Sequence, residues 1–488
     1  MRDQKALKLT TWTDDARLAA ETLIGRVGET VTPTLRLGVT GLARSGKTIF
    51  LTSLVHNLMH GGRLPLFDVY AQGRLKSARL RPQPDDHVPR FAYEQHLKAL
   101  VEERIWPDST SQLSELRLVI EYESASFLQR QLGRGRLVLD VVDYPGEWLL
   151  DLPLLSKDYA TWSAESLAEA RKPHREAAAE PWLAAVGQVD PAADAMETEA
   201  QRLSNEFTGF LKSSRSIAGA PVSLPPGRFL MPGDLAGSPM LTFAPLPPLE
   251  DAPKRSLWRM MERRFEAYKA HVVRPFFLEH FARLDRQIVL VDLLASLNGG
   301  PAAIAELEAV MADILACFRS GRQNILTRLI DRRIDKVLFA ATKADHLHHQ
   351  DHDRLEAILR LLVAQALEGA ESRGAKVSAM AMAAVRATRE GTVSQAGARL
   401  PAIVGVPLDG ETVDGKRFDG ATEIGLFPGD LPEDPKRALA NETWQGGDLA
   451  YLRFRPPALE RTSEGLTLSL PHIRLDRALQ FLMGDRLV

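Results

Sequence analysis

The sequence of 488 residues contains one cysteine, Cys317, which excludes an internal disulfide framework and indicates a reducing compartment. It also lacks any run of about 18 uninterrupted apolar residues, the length that a membrane-spanning helix needs. Residues 1–18 are charged throughout and lack the apolar core of a secretory signal. These absences predict a cytoplasmic protein that reaches a membrane only through a partner.

Charge of neither sign is in marked excess, because 61 Lys and Arg oppose 63 Asp and Glu. This balance gives no general attraction to nucleic acid or to an acidic membrane. No stretch combines basic and aromatic residues as nucleic-acid-binding surfaces do, and no Ser/His/Asp triad signature occurs. We therefore expect neither a nucleic-acid partner nor direct membrane insertion.

Residues 35–55 change from an apolar run to a glycine-rich turn and then to a helical pattern. The turn, "GLARSGKT" from Gly41 to Thr48, fits G-x-x-x-x-G-K-[ST] at every fixed position. Glycines let backbone N–H groups turn toward an anion, and the N-terminus of the following helix favours negative charge. Lys47 is expected to neutralise β- and γ-phosphates and Thr48 to bind Mg²⁺. The alternative is a plain strand-turn-helix. The predicted phosphate-binding residues are Gly41, Ala43, Arg44, Ser45, Gly46, Lys47, Thr48 and Ile49.

Two further motifs follow predicted buried strands. Residues 143–146 form a D-x-x-G, and residues 342–345 ("TKAD") form a variant of N-K-x-D. Because ligands of open α/β sheets bind at the carboxyl ends of the strands, we expect both motifs to meet the glycine-rich turn. Asp143 is expected to hold Mg²⁺, and the Gly146 N–H to approach a γ-phosphate.

The TKAD segment is expected to select the base. Asp345 offers acceptors that suit the N1–H and N2–H donors of guanine, whereas adenine presents an unpaired acceptor at that edge. The Lys343 stem can cover one face of the base, and Thr342 is included in the predicted site. The alternative is a strand end followed by a helix cap.

The order of the predicted strands favours a Ras-like frame. The segment from Leu116 to Glu123 alternates, with Leu116, Leu118, Ile120 and Tyr122 on one face, and is predicted to be a half-buried edge strand antiparallel to the strand that ends at Asp143. Further strands are predicted in residues 286–294, before Thr342, and in residues 376–388, with helices between them. The expected fold is α/β: a Ras-like P-loop NTPase sheet with helices on both faces, a large mainly helical insertion after switch II and a small C-terminal β-rich extension.

The segments "GLARSGKT", "DYPGEWLLDLPLL", "TKAD" and "PHIRLDRALQFLMGD" resemble the YcjX-like family of P-loop NTPases, and the likeness spans nearly the whole chain. Its members are labelled as predicted ATPases, although the family is similar to Ras-type GTPases and carries a helical insertion. The resemblance implies a bacterial cytoplasmic stress-response protein, loosely tied to the phage-shock envelope response. A membrane-associated stress protein is therefore one candidate for an unidentified effector.

The hydrolytic residues are assigned by analogy with Ras-type proteins. Thr110, shortly before the predicted edge strand, is the chosen switch I threonine and second Mg²⁺ ligand, with a polar turn as the alternative. Glu147 stands where Ras-type proteins have a water-orienting glutamine, so it is either a base or turned away from the phosphate. Arg44 either contacts phosphate or is solvated, which is the favoured reading. The predicted catalytic residues are Lys47, Thr110, Gly146 and Glu147.

Changes in composition and residue pattern along the chain predict five segments. They are an N-terminal helical extension (1–31), two halves of the nucleotide-binding domain (32–148 and 287–392), a helical insertion (149–286), and a β-rich extension with a closing helix (393–488). In the insertion, Pro275 is expected to break or kink a helix. That helix carries Trp258, Met261, Phe265 and Tyr268 at core spacing.

The stretch "DHLHHQDHD" after TKAD resembles a metal site, because it holds His346, His348, His349 and His352 close together in sequence. Without cysteines or a recognised ligand spacing, we favour a solvated, histidine-rich helix cap.

We predict a GTP-binding and GTP-hydrolysing switch protein with Mg²⁺ and GTP or GDP as its ligands, in which the insertion relays nucleotide state to a partner. The alternatives are an ATPase that uses the same loop and a nucleotide-binding scaffold with little turnover. Asp345→Asn separates the first two, and Lys47-dependent hydrolysis separates both from the third.

Overall fold

The computed structural model describes residues 32–42, 44–108, 112–125, 135–216, 224–318, 334–364, 375–395, 397–413, 415–439, 449–459 and 469–488. The helical extension predicted for residues 1–31 lies outside them. How the chain divides into folding units stays a prediction.

Seven strands of the described residues form one sheet: β1 (Thr34–Gly41), β2 (Leu75–Arg81), β3 (Ser114–Tyr122), β4 (Gly135–Asp143), β5 (Arg286–Val291), β6 (Lys336–Ala341) and β7 (Lys376–Ala381). Their spatial order is β2-β3-β4-β1-β5-β6-β7, and the five from β4 to β7 run parallel. All six residues of β5 are buried, as expected of a parallel strand covered on both faces. Since parallel strands end at one edge, β1, β4 and β6 deliver their motifs to the same side.

The prediction that residues 116–123 form an edge strand is wrong. Strand β2 pairs antiparallel with the outer side of β3. In β2, "LKSARLR", only Ala78 is buried, so no apolar alternation marks it as a strand. Its lysine and arginines give the sheet a charged edge, which discourages pairing with other chains. The alternation predicted for β3 is confirmed, because its four apolar residues on one face are all buried.

Helices cover both faces of the sheet. Those of the described residues are α1 (Lys47–Met59), α2 (Asp68–Ala71), α3 (Tyr93–Lys98), α4 (Tyr159–Ala170), α5 (Glu176–Gly187), α6 (Glu197–Ser216), α7 (Leu257–Tyr268), α8 (Arg274–Glu279), α9 (Leu293–Asn298), α10 (Pro301–Phe318), α11 (His352–Leu362), α12 (Pro435–Leu439) and α13 (Leu475–Met483). Helices α1 and α13 share one apolar cluster with β1, which includes Leu37, Phe50 and Leu479. Helices α9, α10 and α11 pack in another cluster with β5 and β6.

Between β4 and β5 the chain forms the predicted helical insertion. A run of 3-10 turns, Gly146–Ser156, leads into it, and α4 to α8 pack around buried aromatic rings such as Trp162 and Trp182. The core assignment of Trp258, Met261, Phe265 and Tyr268 is confirmed. Ahead of Pro275 the winding changes, because α7 gives way to a π-type turn over Lys269–Val273. Helix α8 begins one residue before the proline and runs past it to Glu279, so the helix does not break at Pro275, and a kink there stays a prediction.

Beyond β7 the described residues form a small β region. Strands β8 (Arg389–Gln395), β9 (Ala398–Gly405) and β12 (Ile424–Leu426) form one antiparallel sheet, and β10 (Thr412–Val413) pairs with β11 (Lys416–Arg417). Helix α13 then returns the chain to the main sheet. In the part of the chain that is described, no helix has both the length and the apolarity to cross a membrane.

Candidate functional site

The turn between β1 and α1 has the backbone of a phosphate-binding loop. Strand β1 ends at Gly41 and α1 begins at Lys47, with Gly46 as its N-cap at φ 86°. Arg44 also has a positive φ, 65°, and the Ser45 N–H donates to the Leu42 carbonyl at 3.1 Å. Glycine adopts the left-handed conformation at position 46 without strain, which explains why this position needs it.

Lys47 and Thr48 place their polar atoms beside this loop. The Lys47 Nζ donates to the Gly41 carbonyl at 3.0 Å, and the Thr48 Oγ1 donates to the Asp108 carbonyl at 3.4 Å. Both residues are buried, and both line a cavity of about 380 Å³. Small-molecule pockets commonly occupy about 300–1,000 Å³, so this cavity is large enough for a ligand.

The D-x-x-G segment lies against the base of the loop. Asp143 pairs in register with Val39, two residues before Gly41, and is buried. A Cβ on Gly146 would lie 2.6 Å from the Gly41 carbonyl oxygen, so only glycine fits there. Glu147 is 3% exposed and is not among the residues that line the cavity. That position agrees with the turned-away alternative.

The TKAD segment turns at the end of β6. Lys343 has a left-handed backbone, φ 62°, and its Nζ donates to an Asp292 carboxylate oxygen and, at 3.0 Å, to the Tyr451 hydroxyl. Burial alone would lower the pKa of Lys343, but the charge of Asp292 raises it above its ordinary value. Lys343 is therefore held as a cation at the cavity wall.

Asp345 is buried and fixed by the segment after β7. The Ala387 N–H donates to its Oδ2 at 2.8 Å, and the Thr388 hydroxyl donates to its main-chain carbonyl. Burial raises the pKa of Asp345 to about 6, and the Ala387 N–H opposes that rise. The carboxylate still predominates at neutral pH, and the backbone N–H of Asp345 itself also stabilises it.

The same cavity is lined by Lys47 and Thr48 on one side and by Thr342, Lys343 and Asp345 on the other. Arg44, Ser45, Gly46 and Ile49 also line it, and Arg44 is exposed. Gly41, Asp143 and Gly146 lie behind the loop rather than in the lining. Ala43 and Thr110 lie outside the described residues. The assignment of individual roles stays a prediction.

Sequence reasoning missed the wall around the TKAD side of the cavity. Trp106, Arg453 and Phe454 line it, and the Trp106 Nε1 donates to the Phe454 carbonyl at 2.6 Å. His346 lines it too, with its ring 5.3 Å from that of Tyr451, and burial lowers the pKa of His346 to about 3. No local pattern singles out residues 451–454.

The prediction of a solvated histidine cap is wrong for most of that stretch. His348 and His352 are buried and His346 contributes to the cavity, whereas His349 is exposed. His346, His348 and His349 lie in the turns that precede α11, and His352 is the first residue of that helix. The turn that carries Asp345 folds back against the segment after β7 through the Ala387 N–H and the Thr388 hydroxyl, whereas His349 and Gln350 stay exposed.

The donor set suits a triphosphate with Mg²⁺. Thr48, in the first turn of α1, and Asp143, at the end of β4, carry hard oxygen atoms of the kind that Mg²⁺ prefers and would hold that ion. The Ser45 Oγ is buried and, within the described residues, has no hydrogen-bond partner, so it can donate to a phosphate oxygen. Fold and site together define a P-loop nucleotide-binding protein of the Ras-like α/β class.

Comparison with known proteins agrees with that class. Residues 35–487 match the family model described as YcjX-like family, DUF463. The Ras-like GTPase YcjX of Escherichia coli (strain K12) is 35% identical over 466 residues, which cover 93% of this chain and 96% of that protein. The Ras-like GTPase YcjX of Shewanella oneidensis (strain MR-1) is 34% identical over 477 residues, covering 93% and 94%. The chain therefore belongs to the YcjX-like family.

Proposed function

We propose that this protein binds GTP with Mg²⁺ and hydrolyses its γ-phosphate anhydride. The carrying observation is that one cavity is lined by Lys47 and Thr48 of the phosphate loop and by Lys343 and Asp345 of the base-recognition segment. Relatives that cover almost the whole chain are named Ras-like GTPases, which supports the same reaction.

Each part of the cavity has one task in this proposal. The loop amides and Lys47 bind the β- and γ-phosphates, and Thr48 and Asp143 hold Mg²⁺, which neutralises charge that develops on the phosphate oxygens. Lys343 covers one face of the base, while Asp345 accepts from guanine N–H groups. Gly146 brings the D-x-x-G backbone to the loop, and Thr110 would close switch I.

The position of the insertion supports a signalling role. The 3-10 turns after Gly146 lead directly into it, so movement of the D-x-x-G segment with nucleotide state would shift its helices. We propose that these helices present that state to a protein effector, for which a membrane-associated stress protein is one candidate.

Base selection is tested by equilibrium competition of GTP, GDP and ATP with Mg²⁺. Asp345→Asn replaces one acceptor by a donor, yet leaves an oxygen for the Ala387 N–H. We expect GTP affinity to fall about ten- to a hundredfold, the equivalent of about 1.5–3 kcal/mol. Exposed Asp86→Asn is the control. ATP that competes as well as GTP in the wild-type protein would favour the ATPase alternative.

Turnover is tested by single-turnover phosphate release. Lys47→Ala is expected to slow release by at least about a hundredfold, whereas exposed Lys254→Ala should leave it unchanged. The location of Glu147 outside the cavity lining favours a second candidate, a nucleotide-binding scaffold with little turnover. Tight GTP binding without Lys47-dependent phosphate release would establish the scaffold instead.

A further inference from the structure

The turn after TKAD meets strand β8 in a cluster of two histidines and a glutamate. The His349 Nδ1 lies 2.9 Å from a Glu390 carboxylate oxygen, and the His348 and His349 ring centroids are 4.2 Å apart. One possible ligand atom from each of the three residues lies within 4.8 Å of the other two. None of them lines the nucleotide cavity, so the cluster is a separate feature.

The cluster has a buried side and an open side. His348 is 9% exposed, and its Nδ1 is buried with no hydrogen-bond partner in the described part of the chain. The His349 and Glu390 side chains are 60% and 35% exposed, which leaves a path for an ion. The other Glu390 oxygen lies 3.5 Å from an Arg386 nitrogen, a loose pair that a bound ion can outcompete.

We propose that His348, His349 and Glu390 form a binding site for a divalent transition metal ion of the zinc class. Imidazole nitrogen suits Zn²⁺ better than Mg²⁺, and two histidines with one carboxylate leave a fourth position for water. Tetrahedral zinc ligands lie about 3.3 Å apart, so small rotations of the exposed His349 and Glu390 side chains complete the site. The ion takes the place of the hydrogen bond between His349 and Glu390.

The site joins the two segments that hold Asp345. Residues 345–349 and 387–390 run side by side, with Asp345 bound by Ala387 and Thr388 at one end and His349 bound by Glu390 at the other. An ion at the outer end restrains both segments and hence the carboxylate that contacts the base. This consequence for guanine selection rests on the proposed function, whereas metal binding itself does not.

The test uses the full-length protein, freed of metal with a chelator and without nucleotide. Calorimetric titration with Zn²⁺ should show about one ion per chain, and Co²⁺ should give the absorption bands of a nitrogen-and-oxygen site. His349→Ala and Glu390→Gln should each weaken Zn²⁺ binding at least about tenfold. His87→Ala removes an exposed histidine elsewhere and should change nothing. Metal-free melting temperatures should match the wild type, since the two substituted side chains are partly exposed.

The outcomes distinguish the two levels of the proposal. A wild-type protein that takes up no Zn²⁺, or variants that bind it as tightly as the wild type, would overturn the site. Zn²⁺ binding that leaves the ratio of GTP to ATP affinity unchanged, when nucleotide competition is measured with and without the ion, would support the site and refute its coupling to Asp345. Zn²⁺ binding in a protein that binds no guanine nucleotide would support the site while the proposed function fails.

Discussion

Gly146 is the residue at which the D-x-x-G segment touches the phosphate loop. A Cβ at this position would lie 2.6 Å from the Gly41 carbonyl oxygen and 3.0 Å from the Leu42 nitrogen, and neither backbone atom can yield without moving the loop. The spacing of the motif predicted a role near the γ-phosphate. It could not predict this contact, because the closeness of two backbones is decided by how β1 and β4 pair.

Replacing Gly146 by alanine should therefore separate the segment from the loop. We expect Gly146→Ala to lower the free energy of unfolding by about 1–3 kcal/mol and to weaken GTP binding. Gly209→Ala is the matched control, because a Cβ within α6 meets nothing within 4 Å and should stabilise by about 0.4–1 kcal/mol. Urea denaturation and nucleotide titration provide the measurements, and wild-type values for Gly146→Ala would refute the contact.

The ionisation of Asp345 should make base selection depend on pH. Burial raises its pKa to about 6, so the carboxylate that we propose to accept from guanine is lost as pH falls through that value. We expect the ratio of GTP to ATP affinity to fall up to about tenfold between about pH 7.5 and about pH 5. The ratio cancels titration of the phosphates, which both nucleotides share. Asp345→Asn should show a low ratio that does not change with pH, and a pH-dependent ratio in that variant would assign the effect elsewhere.

At the scale of elements, two hydrogen bonds and a cation–π contact join the insertion to the turns that follow Gly146. The Gly227 N–H donates to the Asp151 Oδ1 at 2.7 Å, and the Tyr268 hydroxyl donates to its Oδ2 at 2.6 Å. The Arg228 guanidinium lies 3.2 Å from the centroid of the Trp148 ring. Two parts of the insertion that are distant in sequence thus hold one short segment, and the relay that we propose would pass through these contacts.

Removing the Tyr268 hydroxyl should lower the free energy of unfolding by an amount that depends on pH. Burial raises the pKa of Asp151 to about 6, above its ordinary 3.8, and the Tyr268 donor opposes that rise. The ionised form, present above that pKa, depends most on the donor. Tyr268→Phe should thus cost about 1–3 kcal/mol at about pH 8 and less at about pH 5, measured as shifts in urea midpoint. Tyr70→Phe is the control, because the half-buried Tyr70 hydroxyl makes only a long bond of 3.5 Å to the Gly61 carbonyl, and it should cost little at either pH. An equal cost at both pH values would contradict the prediction.

Elements that bury apolar residues could be predicted from sequence, and elements that do not could not. Strands β4, β5 and β6 are predicted by their apolar runs, and α7 is predicted by the helical spacing of its aromatic residues. Strand β2 was not predicted, because its charged side chains face water and only its backbone pairing with β3 makes it a strand. The histidine turn was misread because local polarity gives no information on the segment that buries it.

For the whole molecule, the least predictable feature is that the C-terminal region completes the cavity. The Arg104 guanidinium donates to the Pro456 carbonyl at 3.0 Å, and Trp106 donates to that of Phe454. Tyr451, from the same region, accepts a hydrogen bond from the Lys343 Nζ. More than 340 residues separate the first pairs in sequence, so only the closed fold brings them together. The stretch before switch I is thereby tied to the far end of the chain.

The Trp106 bond tests whether that closure serves nucleotide binding. Trp106→Phe keeps an aromatic ring at the cavity wall but removes the N–H that donates to the Phe454 carbonyl. The wall should therefore be held less firmly. We expect GTP affinity to fall about fivefold, the equivalent of about 1 kcal/mol. Trp258→Phe is the matched control. Its indole nitrogen, in the core of the insertion, has no hydrogen-bond partner among the residues described, so the same substitution there removes packing alone. Trp258→Phe should lower the melting temperature and leave GTP affinity near the wild-type value. If both variants lose affinity in proportion to stability, the C-terminal region contributes only to folding; if Trp106→Phe alone loses affinity, it forms part of the binding site.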